Sequence, residues 1–477
     1  MNANRQNVVN KPFVSIIVLG WGGEQYISMC LEALSNQTYP AYEIIVVDNA
    51  SPDNTAEIVQ RDFPHVRLIR TEKNLGVAGG NNVGLRAAKG DILILTNVDT
   101  EARPDWIERF VEAFQTDPAI GVVGGKLLYP DGTIQYGGGA IDPAQGISSH
   151  VDEHAPDRPD DVEIRETDFA TGAALGIRRE VLEEIGYEDE GYFPINYEDA
   201  DLSYRARLAG WRVCYAPQAV SVHYESSTLT SLAPHRILSY LMGRLHFVCK
   251  FWPDERLRSD FFEAESAWLR DLRQQQTSFG TFAYGVMDLV YFKTLLDLEE
   301  LIAWRERLGT GEPEQSHWTL TDVLTRLRTV NLPEFQTVAS GLVSTAPPEV
   351  VDDLLERWLL DGGEKLQHQP TLAMLSATLS LLRAQVNPHQ PIAWPAWPPG
   401  IWPKVKAALQ KITRRLLRWY IDPIVEQQNR VNVDTVQMLN AMAQEIFLLR
   451  VQWMEKEKAL RAEIETLKRK VVESHDP

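Results

Sequence analysis

The chain predicts an α/β protein: a mostly parallel sheet with flanking helices, followed by a helical extension and a C-terminal coiled coil. Three observations carry this reading. From Phe13 to about Val222, short β-branched runs alternate with helical segments, the pattern of a largely parallel sheet. After about Ser231 the strand signal stops and long amphipathic patterns replace it. The last segment repeats apolar residues every seven positions, as a coiled coil requires.

The first four strands read PFVSIIVL, YEIIVVD, VRLIR and DILILT, each nearly all apolar, as strands buried on both faces are. Helical patterns separate them, such as EQYISMCLEALSN and DNTAEIVQRDF, the second opening at a capping residue, Asp53. The extension holds ILSYLMGRLHFVCKFW, ERLRSDFFEAESAWLRDLRQQ and GVMDLVYFKTLLDLEELIAWRERL, with breaks at GTGEPEQ and TAPPEV. NPHQPIAWPAWPPGIWP follows, and its six prolines exclude helix and central strand, so it reads as a linker. Past it, Lys404, Lys406, Lys411, Arg414, Arg415 and Arg418 lie in one acid-free helical pattern, with Trp394, Trp397, Trp402 and Trp419 nearby. Such a stretch reads as a peripheral membrane-surface element or as a charged helix packed on the acidic remainder. Leu439, Ile446, Trp453, Leu460 and Leu467 then form one heptad stripe. The half-way positions begin with Met442 and Leu449 but fail at Lys456, Glu463 and Lys470, so the coil should weaken toward its end. The expected divisions are 1–230, 231–385, 386–403, 404–425 and 426–477, with a parallel dimer or trimer through 433–472.

Composition narrows the partners. The 477 residues carry 47 Lys and Arg against 66 Asp and Glu, a formal charge of −19, which excludes nucleic-acid binding through the overall field. The charge is uneven: His150 to Asp201 alone holds seventeen acids and four bases. Its polar stretch EHAPDRPDDVEIRE reads as a mobile flap. Cys30, Cys214 and Cys249 are too few and too far apart for a disulfide framework or a CxxC metal site, which fits a reducing cytosol. The N-terminus lacks a signal-peptide core, and the one stretch of 18 or more residues without Asp, Glu, Lys or Arg, 384–403, is broken by six prolines, so no membrane span is expected. The expected location is cytoplasmic, peripheral at the inner face of the cell membrane.

Ligands of a parallel sheet bind at the carboxyl ends of its strands. Here those ends read Gly20-Trp21-Gly22-Gly23, Asp48-Asn49-Ala50-Ser51 and Thr96-Asn97-Val98-Asp99. A dinucleotide fingerprint would need glycine at position 25, where Gln25 stands, and Gly76, Gly79, Gly80 and Gly84 have the wrong spacing. No P-loop motif occurs. A second acidic group, Glu198-Asp199-Ala200-Asp201, follows Tyr192, Phe193 and Tyr197 and opens a helical pattern running to Gly210.

The blocks VSIIVLGW, LSNQTYPAYEIIVVDNASPDNT, NLGVAGGNNVGLRAAKGDILILTNVD and FATGAALGIRREVLEEIGYEDEGYFPINYEDADLSYRARLAGW resemble glycosyltransferase family 2 over roughly residues 13 to 225. The branch they resemble is the rhamnosyltransferase-like and galactofuranosyltransferase-like one. The resemblance implies a GT-A fold and a nucleotide-diphosphate sugar donor held through Mg²⁺ or Mn²⁺. It further implies inverting transfer to a hydroxyl of a glycan or lipid-linked glycan in bacterial cell-surface polysaccharide synthesis. An acidic protein can hold a diphosphate only by neutralising it, and a cation bridged by one or two carboxylates does so.

By the same resemblance Asp99 is the metal ligand, with Asn97 at the first position of the family's DxD, and His223 is the second ligand. Asp199 is the base that takes the proton from the attacking hydroxyl, and its acidic neighbours should raise its pKa. Glu198 and Asp201 lie on the acceptor side with Gly172 and Ala173, and Asp201 can pair with Arg205 one turn on. Asp48 binds the nucleotide, Trp21 stacks on its base, and Asn74, Gly76, Asn82 and Gly84 form the sugar-nucleotide loop. Gly22 replaces the family's asparagine.

Two other readings stay open. A nucleotidyltransferase would need Lys or Arg in the loop after the first strand, and residues 18–26 contain neither. A non-catalytic coiled-coil scaffold retaining a transferase domain is favoured by Asn97 and Gly22 and opposed by Asp99 and Asp199.

Overall fold

The computed structural model describes residues 11–224, 234–275 and 278–332; the expected linker, basic helix and coiled coil lie outside the described residues, as does the extension beyond 332. In chain order the first half runs β1 Val14–Gly20, α1 Ile27–Ser35, β2 Tyr42–Asp48, α2 Thr55–Asp62, β3 Arg67–Arg70, α3 Gly76–Ala87 and β4 Ile92–Asn97. It continues β5 Thr100–Ala102, α4 Trp106–Thr116, β6 Ile120–Leu128, β7 Ile134–Tyr136, β8 Gly139–Ile141, β9 Ser148–His150 and β10 Arg165–Glu166. Then come β11 Ala174–Arg178, α5 Arg179–Ile185, α6 Glu198–Leu208 and β12 Arg212–His223. All four strands expected early in the chain form; β1, β2 and β4 are buried along most of their length, whereas β3, at the end of the sheet order, is only partly buried.

The main sheet has the order β10-β12-β6-β11-β4-β1-β2-β3. Strands β4, β1, β2 and β3 are parallel, as are β6 and β12, while β11 is inserted antiparallel between β4 and β6. The sheet is therefore mixed but mostly parallel. Two antiparallel steps separate β4 from β6, so β12 again runs with β4 and delivers its C-terminus to the same edge as β1, β2 and β4. Ile17, Val47, Leu95, Leu175 and Ile177 fill the core beneath α3, α5 and α6. At the ligand edge, Val98 packs into room left by two glycines: a Cβ on Gly20 or on Gly23 would come within 2.6 Å of its methyl groups. The loop after β1 and the turn after β4 are thereby locked together.

The EHAPDRPDDVEIRE stretch, expected to be a flap, is instead tied down. Lys126 Nζ, almost fully buried, donates to Asp157 at 2.7 Å and to Arg158 O at 3.3 Å, and Gln218 Nε2 donates to Pro159 O at 3.1 Å.

Helices α7 Pro234–Phe251, α8 Asp254–Arg256, α9 Phe262–Gln274, α10 Ser278–Leu296, α11 Leu298–Leu308 and α12 Pro313–Asn331 follow. The expected single pattern GVMDLVYFKTLLDLEELIAWRERL divides at Asp297, which occupies the N-cap position of α11. Residues 1–268 and 293–327 form one compact unit that contains the sheet, α7 and α11. The extension anticipated from residue 231 thus begins inside the unit that carries the sheet. Of the described residues, 269–292 and 328–332 belong to a second unit, within which Tyr284 Oη donates to Asn331 O at 2.9 Å. Among the described residues no helix is long and apolar enough to cross a membrane.

Candidate active site

The parallel strands set down the first part of the site. After β1, Trp21 is 47% exposed, and the loop behind it is fastened to the next strand's loop. Gly22 N donates to Ser51 Oγ, Gly23 N to Thr55 Oγ1 and Glu24 N to Asp53 Oδ2, all at about 3 Å. Asp53 also accepts from Thr55 N, although Asn54 is the residue at the N-cap position of α2. At the end of β2, Asp48 is fully buried; it accepts from Ser51 N at 3.1 Å and from Arg70 Nε at 3.2 Å. Arg70 also meets Glu57 at 3.1 Å and remains half exposed.

The glycine-rich entry to α3 is a built turn. Asn74 Oδ1 accepts from Gly76 N at 2.8 Å, and Asn49 Nδ2 donates to both Asn74 Oδ1 and Gly76 O. Gly76 has φ +72°, and a Cβ there would meet the Phe193 ring at 2.8 Å. Asn82 is committed to the protein: Nδ2 donates to Glu188 O and Glu190 Oε1, and Oδ1 accepts from Glu188 N. Its geometry is that of a tether between α3 and the 188–190 segment, not of the nucleotide contact expected from the sequence.

At the end of β4 the Asn97–Asp99 turn is closed by Thr100 Oγ1 donating to Asn97 O at 2.8 Å. The last residue of β12, His223, lies with Nε2 3.2 Å from Asp99 Oδ1 and with Nδ1 2.8 Å from Gln135 Oε1. Because Gln135 Oε1 can only accept, Nδ1 carries a hydrogen. Nε2 then meets the Asp99 carboxylate either as an imidazolium donor or, with a cation between them, as a lone-pair ligand. The carboxylate suits Mn²⁺ or Mg²⁺, whose shells phosphate and water complete, and the added imidazole nitrogen favours Mn²⁺ over the oxygen-seeking Mg²⁺. Among the described residues no group of three or more His, Cys, Asp or Glu is arranged to hold a metal by itself.

Strand β11 brings the second half of the site to the same edge. Thr96 Oγ1 donates to Ala173 O at 3.0 Å, and the preceding Gly172 N donates to Asp199 Oδ2 at 2.9 Å. Asp199 Oδ1 accepts from Ala200 N at 2.7 Å. Gly172, expected beside the acceptor, thus orients the proposed base through its backbone. Immediately before α6, Asn196 and Tyr197 both take left-handed conformations (φ 85° and 74°), which cost free energy for non-glycine residues. Tyr197 is held there by its hydroxyl, which donates to Gly146 O at 2.8 Å and accepts from Ser148 N at 3.0 Å.

The acids of this segment divide into two environments. Burial raises the Asp199 carboxyl above its ordinary value, against the opposing pull of Gly172 N and Ala200 N. Glu198 is pushed well up by burial and by the charges of Asp199 and Glu188, and its Oε2 has no hydrogen-bond partner among the described residues. Glu188 is pushed up to about 8 by burial; Asn81 donates to its Oε2 at 3.0 Å, while Oε1 has no partner among the described residues. The other environment is an ion-pair cluster. Asp201 is fully buried between Arg205 Nε at 2.5 Å, Lys250 Nζ at 2.5 Å and the Tyr192 hydroxyl at 3.0 Å. Asp189, despite burial, is held well below the usual carboxylate range by His246 and Lys250. Asp201 therefore pairs with Arg205 but does not reach the acceptor side expected of it: two cations have drawn it inward. The sequence reading also missed Gln135, Asn49, Arg70 and Glu188, which share no motif with the residues they orient.

Residues 15–186 match the family model described as Glycosyl transferase family 2. The O-antigen biosynthesis protein RfbC of Myxococcus xanthus is 30% identical over 234 residues, covering 47% of this chain and 18% of that protein. The N-acetylglucosaminyl-diphospho-decaprenol L-rhamnosyltransferase of Mycobacterium tuberculosis is 25% identical over 254 residues, covering 47% of this chain and 82% of that one. Among solved structures, GalNAc-T7 with UDP, GalNAc and Mn²⁺ aligns over 68% of this chain and 59% of its own, with 18% identity and a TM-score of 0.46. The chain spans a quarter or less of the length of two of the curated relatives it matches.

Proposed function

We propose, from the match of residues 15–186 to the glycosyl transferase family 2 model, that the chain transfers a glycosyl group from a nucleotide-diphosphate sugar to a hydroxyl of a glycan or lipid-linked glycan, with inversion. The observation that carries this is the convergence on one sheet edge of two unlike carboxylates. One is Asp99, facing His223; the other is Asp199, held by two backbone amides and raised in pKa by burial. The first suits a bound cation and the second a proton.

In this reading Asp199 accepts the acceptor hydroxyl's proton as the oxygen bonds to the anomeric carbon and the nucleoside diphosphate departs from the opposite face. Gly172 N and Ala200 N fix the direction of its carboxylate, which makes the approach geometry part of the folded state. Asp99 and His223 would hold Mg²⁺ or Mn²⁺, oriented by Gln135, and a bound ion there supplies charge neutralisation for the diphosphate. Trp21 offers an exposed face for the nucleotide base, and the buried Asp48, fixed by Ser51 N and Arg70, lies beneath it at the next strand end. Asn74 and Gly76 shape the turn that the donor would meet, and Asn97 borders the cation site. Glu198, its carboxyl pushed well above the usual range by burial, lies beside the base with Ala173 toward the acceptor.

The relatives named for O-antigen biosynthesis and for a decaprenol-linked rhamnosyl acceptor support a role in bacterial cell-envelope polysaccharide or glycolipid assembly. Peripheral attachment through 394–420 and assembly through 433–472 complete the proposal. Vesicle flotation and light scattering on a chain ending near residue 425 test these two parts.

The deciding experiment is nucleoside-diphosphate release from a panel of UDP-, GDP- and dTDP-sugars with Mn²⁺ or Mg²⁺ and polyprenyl-linked acceptors. Release that depends on acceptor and metal is the expected result. Absence of release together with absence of metal-dependent donor binding by calorimetry would leave the scaffold reading in its place.

A further inference from the structure

One face of α7 is applied along the whole segment that carries Asp199. Residues Ser239, Gly243, His246 and Lys250, spaced three or four apart, form a single stripe. Ser239 Oγ donates to Ile195 O at 2.5 Å and accepts from Asn196 Nδ2 at 3.3 Å. At Gly243 the backbones are so close that a Cβ would sit 2.7 Å from Asn196 O. The His246 ring meets Tyr192 edge to face at 4.7 Å. Lys250, with no exposed surface, places Nζ 2.6 Å from Asp189 Oδ2 and 2.5 Å from Asp201 Oδ2, and 3.5 Å from the centre of the Trp304 ring of α11. Its two carboxylate partners stand on either side of Asn196, Tyr197 and Asp199.

From this geometry we propose that α7 is a positioning element of the transfer site, with Lys250 as its principal positioning residue, fixing both ends of the 189–201 segment so that Asp199 is held in register with Gly172. The inference rests on the reading of Asp199 as base. It assigns the helical extension, which lies beyond the family match at 15–186, a role in the reaction. The left-handed pair Asn196 and Tyr197 needs such a clamp, since two strained residues persist only where their surroundings over-determine them. The paired charges also explain why a lysine can be this deeply buried, because two carboxylates and an aromatic face replace its water.

The test uses the full chain with Lys250→Met, Lys250→Arg and Ser239→Ala, read by steady-state transfer from the donor panel with Mn²⁺ and by amide hydrogen exchange. For Lys250→Met we expect kcat to fall about 100-fold, the effect of a displacement near 1 Å at a reacting group, while donor KM stays within about threefold. Exchange protection should fall in 186–201 and stay unchanged in β1, β2 and β4. Lys250→Arg should recover part of the kcat, and Ser239→Ala should show a smaller fall of the same kind. Unchanged kcat, or protection lost throughout the sheet, would overturn the proposal by showing no role or a merely structural one. Should the unaltered chain transfer no sugar, the functional reading fails on that result, and hydrogen exchange still decides whether Lys250 clamps this segment.

Discussion

His223 Nε2 lies 3.2 Å from Asp99 Oδ1 while the other nitrogen of the same ring is fixed by Gln135 Oε1 at 2.8 Å. The arrangement joins the end of β12, the turn after β4 and the short strand β7. Ligands oriented by such outer partners lose roughly 10- to 100-fold in metal affinity when the partner is removed. We therefore expect Gln135→Leu to weaken Mn²⁺-dependent UDP binding by about that factor. His223→Ala, which removes the ligand itself, should weaken it by more, and Asp99→Asn should abolish the metal dependence. Isothermal calorimetry with and without Mn²⁺ checks this, and an unaltered Mn²⁺ dependence in His223→Ala would remove the histidine from the site.

Asp199 must be deprotonated to act as a base, and burial raises its pKa above that of an ordinary aspartate. The rate should therefore fall as the pH drops through that raised value, earlier than a solvated aspartate would allow. Asp199→Asn should lower transfer by about 10²- to 10⁴-fold, the range for a positioned acid–base group. Donor binding should change little, because Asp48 ends β2 and Asp99 stands in the turn after β4, whereas Asp199 belongs to α6. Loss of donor binding in this variant would refute the assignment of the base.

The first four strands were legible because their apolar runs are written locally, with β1, β2 and β4 buried almost throughout. Asp99 and Asp199 could be picked out as candidates because each stands within a recognisable block. Asp201 was not, because its environment comes from Lys250 on α7, and no local pattern announces that a distant lysine will draw a carboxylate inward. The acid-rich stretch from His150 to Asp201 is likewise divided by distant contacts: four of its seventeen acids, Glu188, Asp189, Glu198 and Asp201, are buried, and that part of the charge is neutralised or paired within the fold. Asn82 resembled a ligand contact because an asparagine in a glycine-rich turn carries no mark of where its amide will point.

Gly76 meets two constraints at once, a left-handed φ of 72° and the Phe193 ring 2.8 Å from where a Cβ would stand. Gly76→Ala should cost about 1 kcal/mol for the backbone and a further ~1 to 3 kcal/mol for overpacking. A thermal melt reads the sum. The displaced turn should also weaken donor binding, since Asn49, Asn74 and Gly76 are one hydrogen-bonded unit. Wild-type stability in this variant would mean that the turn and Phe193 yield without cost.

Glu188 gives the clearest dependence of stability on pH. Its pKa rises from an ordinary 4.5 to about 8 in the fold, so the folded state holds a proton that the unfolded chain releases. The associated stability is fully present below about pH 4.5 and is lost as the pH rises through about 8. Within that window the slope is about 1.4 kcal/mol per pH unit, and the total is of the order of a few kcal/mol. Glu188→Gln keeps the size of the side chain and an oxygen for Asn81 but cannot ionise. Its melting temperature relative to wild type should therefore climb steadily from pH 5 to pH 8 and level off above. Parallel curves for the two proteins across that range would show that Glu188 is ionised in the fold throughout, or that its environment is wetter than its burial implies.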